Sequence, residues 1–212
     1  MTDPAQEERT YFYPNKMGRI LLFSLEEVLG HNSVNAILNL ANLPHLINHY
    51  PPNNFDLGFR FEDIGNINEA LDTLFGPRSG RGLALRTGRV CFKQGLREFG
   101  SVLGVADLAF RLLPLKMKIK TGAEAFADLF NRYSDQVVHL EEKPDVLCWH
   151  IERCPICWGR KTDSPCCHLV VGILQEALFW VSSGRHFLVE EVSCIAQGDK
   201  TCSLHISRQP LD

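Results

Sequence analysis

At 212 residues, 45% hydrophobic and 22% charged, the chain has the composition of a soluble globular protein of one large or two small domains, long enough to bury a real core. A formal net charge of −3 removes the electrostatic case for a nucleic-acid partner, which favours a basic face. No apolar run reaches the ~18 residues of a membrane span; the best stretch, Leu169 to Val181, is interrupted by Gln175 and Glu176.

The polar, acidic N-terminus carries no charged-then-apolar signal segment. The expected location is therefore cytoplasmic, with peripheral attachment at a membrane as the variant. Residues 1 to about 15 read as a loose leader. The apolar residues from Ile20 to Leu29 predict a helix closed by Gly30, and a second helix follows from Ser33, a candidate N-cap, to about Asn42. Pro44 and the Pro51-Pro52-Asn53-Asn54 run break regular structure. Phe59-Arg60-Phe61 predicts a short extended piece, and Ile67, Ala70, Leu71 and Leu74 a helix ending at Gly76. The next helix is expected over 80–101, where Gly82, Gly88 and Gly95 permit close packing or approach of a ligand. A short apolar helix over 105–113 stops at Pro114, and Ala123, Phe126, Ala127 and Phe130 mark another.

The pattern then changes to strands. Gln136–Leu140 and Val146–Ile151 flank a Lys143-Pro144-Asp145 turn. A cysteine-bearing loop leads to the most apolar helix, over 168–182, and His186–Ser193 and Ser203–Ser207 complete an expected four-stranded antiparallel sheet. The fold class read from this order is α/β (α+β): a helical N-terminal half packed on a four-stranded antiparallel sheet with one long helix. The expected division is a loose 1–15, a single domain over 16–207 with a helical part (16–118) and a metal-bearing core (119–207), and a tail over 208–212.

Seven of the eight cysteines fall in the last third. Thiols at this density in a cytoplasmic chain are expected as free thiols or metal ligands rather than disulfides. Cys194 and Cys202 flank a turn-rich Gly198-Asp199 segment that can fold one beside the other. Glu191 lies three residues before Cys194, so on a straight strand the two would face opposite sides. They share an ion only if the strand ends or bulges between them. Cys154-x-x-Cys157 has chelating spacing and leaves three readings open: a second metal completed by Cys166 or Cys148 and a histidine, a redox dithiol, or a plain reduced loop.

The run Pro165-Cys166-Cys167-His168-x-x-x-Gly172, a long helix, Gly184, Val189-Glu190-Glu191-x-x-Cys194, Gly198-Asp199 and Cys202-Ser203-Leu204 resembles the 4-vinyl reductase domain over roughly 120–207. Cys154-x-x-Cys157-Trp158-Gly159-Arg160 is similar to a subgroup found in phototrophic bacteria. The resemblance implies a fold like the TRAPP vesicle-tethering subunits and a homodimer. It also implies a zinc ion beside an apolar effector pocket, held by Cys167, Glu191, Cys194 and Cys202. The interval from Cys167 to Glu191 is one residue longer than the family pattern, which leaves Cys166 and Glu190 as competing ligands. A closed four-ligand site has no open position for water, so the zinc is expected to be structural or linked to effector binding.

The function these readings imply is a zinc-containing module that holds a small apolar or tetrapyrrole-like molecule in a sensing, carrier or assembly role. One alternative is an enzyme or accessory factor of bacteriochlorophyll biosynthesis, with vinyl reduction as its chemistry. Another is an assembly subunit with a protein partner in pigment or photosystem assembly. No dinucleotide fingerprint follows a predicted strand, which counts against the enzyme.

Overall fold

The computed structural model describes residues 10–100, 110 and 112–211. Of the helix expected over 105–113, residues 105–109 and 111 lie outside them. The described elements are β1 (Phe12–Pro14), α1 (Asn15–Leu29), α2 (His31–Leu40), β2 (Leu57–Arg60), α3 (Phe61–Phe99), α4 (Leu115–Tyr133), β3 (Val138–Glu142), β4 (Val146–Ile151), α5 (His168–Val181), β5 (Phe187–Ser193) and β6 (Cys202–Pro210). A helical half thus packs on a four-stranded antiparallel sheet ordered β3-β4-β6-β5, and one buried core runs through both.

Several boundaries differ from the sequence reading for identifiable reasons. The expected loose leader contains β1, which pairs antiparallel with β2, Phe12 opposite Arg60 and Tyr13 opposite Phe59. Gly30 (φ 79°) ends α1 and is also the N-cap of α2, so Ser33 sits inside the helix rather than capping it. The helix expected to end at Gly76 does end there (φ 77°, ψ 158°), but the next begins at once at Pro77 rather than at residue 80. Pro77 cannot continue a helix backward, because it lacks the N–H and its ring crowds the preceding turn. Glycine takes the positive φ that the break requires.

The sheet presents Leu147, Trp149 and Ile151 of β4 and Leu204 and Ile206 of β6 to the core. Their alternation with polar neighbours is the signature of an antiparallel sheet with one covered face. Helix α5 crosses α3 at two glycines. A Cβ on Gly88 would collide with the Leu169 carbonyl oxygen, and one on Gly172 with the Leu85 carbonyl oxygen. The two helix backbones touch at this point, and any side chain there would push them apart.

Gly172→Ala is expected to destabilise the protein by about 1–3 kcal/mol through overpacking. Gly82, with open space around its Cβ direction, is the control: Gly82→Ala should stabilise by about 0.4–1 kcal/mol by restricting the unfolded chain. Urea unfolding of the two variants checks both signs.

Candidate functional site

Two features meet where α5 enters the fold. The first is a thiol cluster. Cys154, Cys157, Cys166, Cys167, Cys194 and Cys202 are all buried, at most 7% exposed, although they come from three separate segments. The Sγ–Sγ separations are 3.5 Å for Cys154–Cys167, 3.3 Å for Cys157–Cys202, 3.7 Å for Cys167–Cys202, 3.9 Å for both Cys167–Cys194 and Cys194–Cys202, and 3.8 Å for Cys166–Cys194.

Each segment is shaped by its own sequence. Cys154-Pro-Ile-Cys157 is a tight turn, continued by the Arg160 N–H donating to the Cys157 carbonyl (3.1 Å) and by Gly159 at φ 73°. Cys167 precedes the first residue of α5 as its N-cap, and its carbonyl accepts from the Val170 and Val171 N–H groups. Cys194 is folded back beside Cys202 by a 3-10 turn over Ile195–Gln197 and by Gly198 in the left-handed region (φ 99°). The Asp199 carboxylate closes that turn by accepting from the Cys194 N–H at 2.8 Å.

Glu191 joins the thiols because β5 is irregular where the spacing requires it: its pairing register with β6 shifts between Glu191 and Ser193. One carboxylate oxygen accepts from the Cys167 N–H at 2.8 Å, and the other is buried without a partner. Burial, and then the neighbouring Cys194, push the Glu191 carboxyl up to about 8. Four thiols facing Cys194, those of Cys157, Cys166, Cys167 and Cys202, hold its pKa below the usual thiol range. Cys154 and Cys157 push Cys202 the other way.

Of the residues singled out in the sequence, the structure brings Cys167, Glu191, Cys194 and Cys202 within 4.8 Å of one another through their ligand atoms. It also brings Cys154 and Cys157 to Cys167 and Cys202 with the same tolerance. Cys166 lies against Cys194, not beside the Cys154/Cys157 pair. Glu190 is exposed and joins neither ligand group, and Cys148 groups with Glu141 and His150. The convergence of Cys154 and Cys157 on Cys202 was not readable from spacing, since 45 residues separate Cys157 from Cys202.

Beside the cluster a polar cleft of about 950 Å³ is lined by Asp72, Arg78, Arg81, Arg160, His168, Glu191 and Cys166 among others. The Arg160 guanidinium, 5% exposed, donates to Asp72 at 2.6 Å.

The second feature is an apolar cavity of about 100 Å³ between the helical half and the sheet. Its walls come from α1 (Met17, Ile20), α3 (Cys91, Phe92, Gly95, Phe99), α4 (Phe126, Phe130), α5 (Leu169, Val170, Ile173), Trp149 of β4 and Ile156 of the cysteine turn. A smaller void of about 40 Å³ shares Phe92, Leu96, Phe126, Trp149 and Leu174 with it. The polar groups on the wall are few. Tyr13 donates its hydroxyl to Gln136, and the Trp149 indole N–H is buried without a partner. Burial pushes the Cys91 thiol up to about 12, so it is neutral at physiological pH.

No family model matches the chain, and no curated protein matches it. Solved structures do. An unliganded Fe(II) H-NOX protein from K. algicida has a TM-score of 0.60 at 15% identity, covering 94% of this chain and 98% of that one. An H-NOX protein from S. oneidensis in the Fe(II)NO ligation state has a TM-score of 0.54 at 15% identity, covering 92% and 99%. A third, from a study of heme distortion in the H-NOX family, has a TM-score of 0.60 at 12% identity, covering 94% and 97%.

The fold is that of the H-NOX proteins. This likeness along nearly the whole chain corrects the family read from the sequence. The Glu-x-x-Cys and Gly-Asp spacings suggested a 4-vinyl reductase domain, but the structures that match are H-NOX structures. With that family fall zinc as the defining cofactor, bacteriochlorophyll biosynthesis, vinyl reduction and pigment assembly. The cause of the error is physical: the cysteine spacings report a local hairpin geometry, and local geometry does not determine ancestry or chemistry.

The matched structures are of Fe(II) and haem proteins, which makes haem the group to test against this chain. The residues do not fit it. The cavity is far below the ~300–1,000 Å³ of a site for a molecule of that size. None of the eight histidines lines it, and among the described residues no lysine or arginine does so to meet the propionates.

Asp72→Asn leaves the buried Arg160 charge without its carboxylate. Because Asp72 is itself 29% exposed, the expected loss is about 2–3 kcal/mol, below the 3–5 kcal/mol of a fully enclosed pair. Denaturant unfolding reads it directly.

Proposed function

We propose that this chain is a small-molecule-sensing domain built on the H-NOX fold, whose ligand is a single-ring-sized, largely apolar molecule with one hydrogen-bond acceptor. The observation that carries this reading is the apolar cavity, lined by a Trp149 whose indole N–H is buried without a partner. A buried donor left unpaired costs free energy, and a ligand oxygen at that point would satisfy it. The size argument is comparative. An engineered apolar cavity of about 150 Å³ stays dry and takes up benzene, and the main void with its neighbour is of that order.

The comparisons support this reading through the fold alone. The matched proteins are described with iron and NO, and this chain shares their architecture without the side chains that would hold haem. The unit that carries the function runs from β1 to β6, residues 12–210, because Tyr13 of β1 lines the cavity. A homodimer and a cytoplasmic location belong to the proposal. No described helix is long and apolar enough to cross a membrane.

The test is a fluorescence and thermal-shift titration with single-ring aromatics. Phenols and aromatic ketones should raise the melting temperature. Trp149→Phe, which keeps the ring and removes the N–H, should weaken them by about tenfold, the value of one hydrogen bond. Hydrocarbons of the same size should bind the variant and the native protein alike. Equal binding of all of these by Trp149→Phe, or no ligand effect at all, overturns the reading. So does a stoichiometric Soret band after incubation with haemin, which would make the chain a haem protein like its structural neighbours.

A further inference from the structure

The thiol cluster is more than one four-ligand site. Two sets of four ligand atoms meet the distance requirement of a tetrahedral ion: Cys154, Cys157, Cys167 and Cys202, and Cys167, Glu191, Cys194 and Cys202. They share Cys167 and Cys202, whose sulfurs are 3.7 Å apart. A tetrahedron with sulfur–metal bonds of about 2.3 Å has edges of about 3.8 Å. Four separations in the cluster, 3.5 to 3.9 Å, lie close to that edge, and the fifth, Cys157–Cys202, is shorter at 3.3 Å.

The geometry points to a two-metal thiolate centre, in which two soft divalent ions occupy adjacent tetrahedra joined along the Cys167–Cys202 edge. Cys154 and Cys157 complete one tetrahedron, and Cys194 and Glu191 complete the other. A single ion does not account for these residues. Placed in the first set, it leaves Cys194 buried and Glu191 half-buried with no function, and one Glu191 oxygen enclosed with no partner at all. Placed in the second, it leaves Cys154 and Cys157 enclosed at 0% and 1% exposure against two of its ligands. An unpaired buried carboxylate is costly, and a cation at that oxygen removes the cost.

The close edges also separate this site from a cluster with inorganic sulfide. There the thiolates are divided between different irons, and bridging sulfides spread them beyond one tetrahedral edge. Here both sets of four lie within 4.8 Å throughout. Softness follows from the donors: thiolates select thiol-preferring ions over magnesium or calcium.

The surroundings suit the charge. Five thiolates and one carboxylate bring six negative charges against four positive ones. The Arg160 guanidinium lies buried beside the cluster: burial works against its charge, and Cys166, Asp72 and Cys167 favour it. The Ile195 N–H donates to the Cys202 sulfur at 3.3 Å, and the Cys167 N–H holds Glu191. Outer contacts of this kind fix ligand orientation. Each bound thiol releases its proton to solvent, and no electron is transferred. Cys166 and Glu191 line the polar cleft, which gives the ions a way in.

The inference stands apart from the ligand reading, since neither needs the other's site to be filled. The experiment uses the full chain, reduced, stripped with a chelator and titrated with Cd²⁺ under native mass spectrometry. Two ions per chain are expected at saturation. Cys154→Ser with Cys157→Ser should drop the count from two to one, and Cys194→Ser should do the same from the other side. One ion at saturation in the native sequence, or none, overturns the inference. Where a serine variant fails to fold, Co²⁺-loaded native protein supplies a second reading. Shared thiolates couple the two spins, so the moment per cobalt should fall below that of an isolated tetrahedral ion. A full isolated-ion moment overturns the shared edge.

Discussion

The contact between α3 and α5 at Gly88 and Gly172 sets the spacing on which both sites depend. With no Cβ on either residue, the helices meet backbone to backbone, the Leu85 and Leu169 carbonyls filling the positions side chains would take. The crossing lies five residues past Cys167, about 8 Å along the helix axis. It therefore fixes where α5 begins, and with it the thiol that both four-ligand sets share. On the same helix Leu169, Val170, Ile173 and Leu174 line the apolar cavity. A wider crossing would move the cavity wall and the shared sulfur together.

Shared architecture and shared chemistry part company here. The H-NOX structures align along almost the full chain, yet they fix only the path of the backbone. What a cavity holds is decided by its volume, by axial donors and by cations near its mouth, and all of these are side-chain properties. This wall has aromatic and aliphatic groups where a macrocycle would need room. Phe126 packs against Phe130 with ring centroids 4.9 Å apart and against Trp149 at 5.7 Å. Those rings occupy space that a larger ligand would require.

Much of the fold was legible because the relevant signals are local. The antiparallel sheet, its Lys143-Pro144-Asp145 turn and the apolar helix that became His168–Val181 follow from period, turn residues and length. The proximity of Cys194 to Cys202 was legible for the same reason, since Gly198 and Asp199 make a turn between them. So was the need for an irregular strand at Glu191. The pairing of β1 with β2 was not, because three residues carry too little pattern and their partner lies more than forty residues away. The closure of Cys154 and Cys157 on Cys167 and Cys202 belongs to the same class. Spacing identifies a chelating pair, but only the fold determines which partner it meets. The family assignment failed on the complementary point: a ligand-like spacing was read as descent.

The two sites share a wall. Ile156 faces the cavity from the turn whose ends are Cys154 and Cys157, and Leu169 and Val170 face it from the first turn of α5, directly after Cys167. Nothing but the width of these short segments separates the apolar space from the sulfurs. Thiols that share a metal hold the turn and the helix start at fixed separation. Free thiols leave that separation to packing alone. Coupling between sites requires an element with two arrangements that each ligand favours differently. The 154–157 turn is the element placed to act that way, because the same few residues supply ligands on one side and lining on the other. A molecule that enlarges the cavity by displacing Ile156 must strain the Cys154 and Cys157 positions. By reciprocity, a centre that holds those sulfurs tightly must resist the larger molecule, so the metal state would set the upper size of ligand the cavity accepts.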